Sequence, residues 1–257
     1  MSRFDDKVAL VTGGSSGLGR AVALSLAGEG AAVALLARGG DALERVAAEC
    51  ERAGARTLVL PADVTNAAAV EAAVARTVTE LGGVDQLVHA AGALRLGPLP
   101  ALTEEDWDVL FSVNVKSCYL LARHVIPAMR ARGGGAIVHV SSAYALACDP
   151  GGAAYGAAKA AVIALTRGMA LDHAAEGIRV NAVVPGGMRT PMLEAVARER
   201  GADPEQLFAA AGARNPLGRM VAPDEVVALV LHLLGDEASA LAGGAYAVDG
   251  GLLARLG

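Results

Sequence analysis

Cysteine, clustered basic residues and long apolar runs are all scarce in this 257-residue chain, and each scarcity closes off a class of function. The three cysteines, Cys50, Cys118 and Cys148, are odd in number and scattered. They form neither a disulfide framework nor a zinc knuckle, which suits a reducing compartment and leaves no metal site to expect. The net charge is −5 with no basic run, so nucleic acid is not an expected partner. A small molecule is. No stretch approaches the ~18 consecutive apolar residues of a membrane-helix candidate. The opening MSRFDDK carries two acids where a secretory peptide would turn basic and then apolar, and a cytoplasmic location is expected. Repeats, low-complexity linkers and composition breaks are also missing, so residues 1–257 are expected to form one domain.

What is present is core material, with 54% hydrophobic and 19% charged residues. Short apolar runs recur at Lys7 to Thr12, Ala32 to Ala37, Thr57 to Leu60, Val84 to Ala90, Ala136 to Val140 and Ile178 to Val184. They are continuous rather than alternating, as strands covered on both faces should be. Between them lie Ala-, Leu-, Glu- and Arg-rich stretches with helical spacing, such as Asp41 to Ala53 and Asn66 to Leu81. Thr103 heads TEED as an N-cap, and Pro223 stands where a first-turn proline belongs. The alternation predicts an α/β chain with a parallel sheet and helices on both faces.

Thr12 to Gly19 reads TGGSSGLG, directly after the first strand and before a helix. Glycines in such a turn let the backbone approach a pyrophosphate, and the helix N-terminus supplies free N–H groups. An ordinary βα turn can also be Gly-rich. The spacing is not GxGxxG but Gly13, three residues, Gly17, one residue, Gly19. It resembles the TGxxxGxG pattern of the short-chain dehydrogenase/reductase family. That resemblance implies a doubly wound Rossmann sheet and a dinucleotide held by Gly13, Ser15, Ser16, Gly17, Leu18 and Gly19.

Ala37-Arg38 ends the second strand. An acid here would accept from the ribose hydroxyls, whereas an Arg pairs with a 2′-phosphate. With no acid at Ala37, NADP is expected in preference to NAD, the other reading of Arg38 being a solvated strand end. Asp63-Val64 resembles the family's adenine-contacting pair, although an Asp there also suits a turn or cap. The family's Asn-Asn-Ala-Gly appears as His89-Ala90-Ala91-Gly92. Ala90 has no amide with which to hold the strands, and His89 is expected to be structural. Ala91 and Gly92 still permit close approach of the cofactor.

Tyr155 and Lys159 share a helix face at i and i+4. A free tyrosine titrates near ~10, and a nearby cation should favour the phenolate, making Tyr155 a proton donor and acceptor near neutrality. Ser142 lies thirteen residues earlier, the interval at which the family sets its serine beside the tyrosine. Ser141 is expected to serve the strand end and Tyr144 the pocket wall. Asn114 sits mid-helix, where asparagine is a poor helix former, and matches the residue with which the family kinks that helix and holds a water near the lysine. Pro185, Gly186, Met188 and Thr190 resemble the family's nicotinamide-positioning segment, and AYAVDGG its last strand and turn.

The resemblance spans nearly the whole chain. NPLGRMVAPDEVV further resembles the 3-oxoacyl-carrier-protein reductase-like branch. It implies reduction of a ketone or aldehyde, or the reverse, with Asn114, Ser142, Tyr155 and Lys159 as the catalytic set, in a homotetramer or dimer. An NAD-linked alcohol, sugar or steroid dehydrogenase is the alternative; a non-catalytic dinucleotide sensor is another, against which the intact tetrad counts. Cofactor binding is expected from about 1–150, catalysis and substrate binding from about 135–257. Within the latter, 188–219 is polar and irregular and is expected to be a substrate lid. Leu94, Leu96, Leu146, Met192 and Leu193 are expected in a mostly apolar pocket that Arg95, Asp149 and Arg214 can enter, with Cys148 as a small lining residue.

Overall fold

The computed structural model describes residues 2–199 and 201–255. Its first half alternates strictly: β1 Val8–Thr12, α1 Gly17–Gly28, β2 Ala32–Ala37, α2 Gly40–Arg52, β3 Thr57–Pro61, α3 Ala67–Leu81 and β4 Gln86–His89. Next come α4 Glu104–Phe111, a π-helical turn Ser112–Lys116, α5 Ser117–Ala131, β5 Gly135–Val140, α6 Ala153–His173 and β6 Ile178–Pro185. The chain finishes with α7 Pro191–Glu199, α8 Pro204–Arg214, α9 Pro223–Leu234, β7 Ala245–Val248 and α10 Leu252–Arg255.

The strands form one parallel sheet in the order β3-β2-β1-β4-β5-β6-β7. Successive side chains serve opposite cores. On β1, Ala9 and Val11 join a cluster with Val22 and Leu26 of α1 and Val226 and Val230 of α9. Val8 and Leu10 face Val70 and Val74 of α3 and Leu121 and Val125 of α5. Two covered faces explain why these strands read as unbroken apolar runs. The strand order changes direction between β1 and β4, and a crevice opens beyond the carboxyl ends of such a pair. Thr12 and His89 stand side by side at that edge.

Local signals work as expected at helix starts. Thr103 and Asp106 form a reciprocal capping box on α4, Asn66 Oδ1 accepts from Ala69 N on α3 at 3.0 Å, and Pro223 opens α9. Two expectations are corrected. The 188–219 segment is not irregular: it folds into α7 and α8, and Pro204 behind the Asp203 cap starts the second of these. Arg200, within that segment, lies outside the described residues. Secondly, α4, the π turn and α5 join into one helix, Glu104–Ala131, long and apolar enough by length and composition to cross a membrane. Half of its apolar window is buried inside the fold, where it packs against α3 and the sheet as a core helix.

Candidate active site

A cavity of about 760 Å3 follows the carboxyl ends of the strands. Every residue expected at the cofactor lines it: Gly13 and Ser15 to Gly19, then Arg38, Asp63, Val64, Ala91 and Gly92, and across the sheet Pro185, Gly186, Met188 and Thr190. Two glycines of the turn leave no room for a side chain. Gly13 has φ +67°, and a Cβ there would lie 2.9 Å from the Ala90 carbonyl carbon and Ala91 N. One on Gly19 would lie 2.3 Å from Gly13 O. Among the described residues no side chain caps α1, and its first turn holds no acid, so the positive end of the helix faces the cavity without a competing charge. This bare cradle fits a dinucleotide phosphate group.

Arg38 is exposed at the rim. Asp63 makes the turn bonding its sequence position allowed and also stands at the cavity. Its Oδ1 accepts from Thr65 N at 2.8 Å and Thr65 Oγ1 at 2.7 Å. Those two bonds hold its carboxyl below the ordinary value, with a smaller contribution from the Arg38 charge.

At the other end of the cavity, three elements bring the expected catalytic set together. The first turns of α6 carry Tyr155 and Lys159, the loop after β5 carries Ser142, and the π turn carries Asn114. The irregular i→i+5 turn is the structural form of the helix disruption predicted at this asparagine, and π turns concentrate at functional sites. Asn114 Nδ2 donates to Leu110 O and Ala93 O, both at 2.9 Å, while Oδ1 accepts from Ala93 N at 3.2 Å. A Cβ on Gly92 would meet Asn114 Oδ1 at 3.1 Å and Lys159 Nζ at 3.6 Å. Both polar ends therefore converge on one bare backbone position. Ser141 Oγ donates to Lys159 O at 2.8 Å, tying the strand end to α6 and leaving Ser142 to the cavity.

The electrostatics overturn one expectation. Tyr155 keeps part of its surface open to the cavity, yet burial pushes its phenol up to about 12, with Tyr144 adding to the rise and a hydrogen bond with Ser142 opposing it. Lys159 does not lower it. Burial brings the lysine itself down to about 8. Its Nζ donates to Val140 O at 2.9 Å and lies 5.8 Å from the centre of the Tyr155 ring. A desolvated ammonium turned toward a carbonyl is too poor a counter-charge to outweigh the phenol's own desolvation.

The substrate end is largely apolar. Leu94, Leu96, Met192 and Leu193 line it. Leu146 and Cys148 do not: Leu146 is 56% exposed, and the Cys148 thiol, raised above its ordinary value by burial, donates to Tyr144 O at 2.8 Å. Tyr144 forms the wall as expected, edge-on to Tyr155 at 5.7 Å between ring centres. Its hydroxyl donates to Asp149 Oδ2 at 3.3 Å, and Asp149 is gripped by both terminal nitrogens of Arg214 from α8. Arg95 is paired with Asp106 at 3.2 Å, so both expected cations enter already neutralised. Leu252 and Leu253 of α10 also line the cavity. The sequence carried no signal for them, because chain-end packing onto a distant site leaves no local pattern.

The family pattern described as enoyl-(acyl carrier protein) reductase matches residues 13–253. Cyclopentanol dehydrogenase of Comamonas testosteroni is 41% identical over 255 residues, covering 99% of this chain and 100% of that protein. The 3-oxoacyl-[acyl-carrier-protein] reductase of Thermotoga maritima is 37% identical over 251 residues, covering 98% of this chain and 99% of the relative. Among solved structures, L-sorbose reductase from Gluconobacter frateurii, complexed with NADPH and L-sorbose, superposes with a TM-score of 0.92 at 33% identity, covering 98% of this chain and 99% of that one.

Proposed function

The chain belongs to the short-chain dehydrogenase/reductase family and is an NAD(P)-dependent oxidoreductase acting on alcohol or ketone substrates; from that premise we propose that it is an NADP(H)-preferring carbonyl reductase, similar in its reaction to 3-oxoacyl-thioester reductases. The observation that carries this reading is the convergence of Tyr155, Ser142, Lys159 and Asn114 on one cavity with the glycine turn.

When bound, a nicotinamide dinucleotide supplies or accepts the hydride. The chain's own residues would do the rest. Ser142 would hydrogen-bond the substrate oxygen and stabilise the alkoxide as it develops. Tyr155, fully protonated at neutral pH with its phenol at about 12, would donate the proton. Lys159 would bind the nicotinamide ribose, and Asn114 would fix the loop after β4 and a proton-carrying water beside the lysine. Arg38, with no acid at Ala37, would pair with a 2′-phosphate; the NADPH complex of the L-sorbose reductase lends support. Helices α7 and α8 would close over the substrate as a lid. The cyclopentanol dehydrogenase relative keeps an NAD-linked alcohol dehydrogenase as the second reading.

Nicotinamide absorbance would test the proposal, with NADPH and NADH offered against β-ketoacyl thioesters, cyclic ketones, diketones and aldehydes. Turnover with NADPH that Tyr155→Phe abolishes, while the variant still folds and binds NADPH, is the expected result. Undiminished turnover by the variant would overturn the role of Tyr155, and a preference for NADH would overturn that of Arg38. Assembly belongs to the same proposal. Leu171 on α6 is 84% exposed and Tyr119 on α5 is 53% exposed, two exposed side chains that further copies of the chain would cover, and light scattering should return a dimer or tetramer mass.

A further inference from the structure

His89, at the end of β4, is buried among groups that can donate and accept in only one order. The single hydroxyl proton of Ser117 goes to Val113 O at 2.6 Å. Its oxygen, 2.7 Å from His89 Nε2, must therefore accept, and the imidazole proton sits on Nε2. That leaves Nδ1 as an acceptor. Thr12 Oγ1, 2.6 Å away, donates to it while accepting from Ala91 N at 3.1 Å. One directed chain of hydrogen bonds thus runs from the Ala91 amide through the Thr12 hydroxyl, His89 and the Ser117 hydroxyl to the Val113 carbonyl. Burial, chiefly, holds His89 well below its ordinary value and therefore neutral, as the assigned order requires.

Both ends of the chain lie at the cavity. Ala91 and Val113 line it, and Ala91 is the residue whose backbone packs against Gly13 at the distance that forbids a side chain there. Val113 sits in the π turn beside Asn114, which in turn clamps both backbone groups of Ala93. We propose that His89 is a positioning residue that couples the cofactor wall, through Thr12 and Ala91, to the π turn that presents Asn114, through Ser117 and Val113. The proposal rests on the dinucleotide reading of the cavity. It gives the His89-Ala90 departure a physical meaning, since one imidazole spans two partners on opposite sides that a shorter amide would meet one at a time.

Two substitutions cut the chain on opposite sides. His89→Gln keeps an N–H where Nε2 stood and abandons Thr12; His89→Asn keeps an oxygen where Nδ1 stood and abandons Ser117. Amide hydrogen exchange on the protein alone should show His89→Gln deprotecting Ala91, and His89→Asn deprotecting the 113–117 turn. In fluorescence titration, NADPH affinity should fall about tenfold in His89→Gln, the effect of one orphaned buried donor. His89→Asn should bind NADPH within about twofold of wild type but lower kcat on the best ketone of the panel about tenfold. Ser117→Ala and Thr12→Val cut the same two bonds without touching the histidine, and should reproduce the Asn and Gln patterns if a histidine variant does not fold. Matching exchange and binding patterns for the two cuts would overturn the coupling and leave His89 as ordinary core. If the wild type binds neither dinucleotide, the reading of the cavity fails, while the exchange comparison still decides whether the chain exists.

Discussion

Lys159→Met should make the protein inactive and, at neutral pH, more stable. Lys159 is 5% exposed, and burial lowers its ammonium from 10.5 to about 8. Below pH 8 the folded and unfolded chains both carry this proton, so the folded state holds a charge that it disfavours by about 3 kcal/mol. Between about pH 8 and 10.5 the unfolded chain keeps the proton and the folded chain releases it. The unfolded state then binds more protons, so wild-type stability rises with pH through that window and the penalty is gone above it. Methionine never carries the penalty but leaves Val140 O without its 2.9 Å bond, a loss of about 1–2 kcal/mol. The variant should therefore gain about 1–2 kcal/mol at pH 7 and lose up to about 1 kcal/mol near pH 10, where somewhat less than about 1 kcal/mol of the wild-type penalty remains. Paired thermal melts at the two pH values and one ionic strength measure this, since 1 kcal/mol moves the Tm of a chain this size by about 2–4 °C. The expected result is a higher Tm than wild type at pH 7 and a lower one at pH 10. A variant equally destabilised at both would refute the burial penalty and leave Lys159 with a purely stabilising role.

Arg38→Ala should weaken NADPH about tenfold or more in fluorescence titration, the loss of a charge-assisted bond, and leave NADH nearly unchanged; equal losses for both would remove the 2′-phosphate from the account. Gly19→Ala places a methyl 2.3 Å from Gly13 O, so calorimetry should find no dinucleotide binding by a variant whose circular dichroism is that of wild type. The pH profile of ketone reduction should fall near pH 8, where Lys159 loses its proton, because the phenol stays protonated to about 12. Lys159→Arg, charged throughout, should lose that alkaline limb even where its maximal rate is lower, and an unmoved limb would assign it to another group.

The fold was legible because the parallel sheet writes itself as continuous apolar runs, and glycine spacing, capping residues and the Tyr155-Lys159 interval are all local. What was not legible needed three dimensions. A polar stretch with two cryptic helix starts, Pro191 and Pro204, looks irregular until α7 and α8 pack against one another. Leu252 and Leu253 reach the cavity only because β7 lies beside β6 and returns the chain end to the carboxyl side of the sheet. The sign of the electrostatic effect at Tyr155 could not be read either, since the interval fixes that a lysine is near but not how dry both groups are.

The burial of Tyr155 and Lys159 shapes what the centre can do. A solvated lysine beside Tyr155 would stabilise the phenolate and cost the fold little, and the pair would act as a base. Here burial drives their acidities apart, the ammonium to about 8 and the phenol to about 12, although Tyr155 keeps part of its surface open to the cavity. At neutral pH the lysine keeps its charge and the phenol its proton. Lys159 is held by Val140 O, and its Nζ borders the bare inner side of Gly92, as Asn114 Oδ1 does. On the proposed reading the lysine would act on what lies against the cofactor wall, while Tyr155, bonded to Ser142, would meet the substrate oxygen. Burial thus separates the acidities of two groups that the i and i+4 spacing alone would couple, and the price appears as the stability that Lys159→Met should restore.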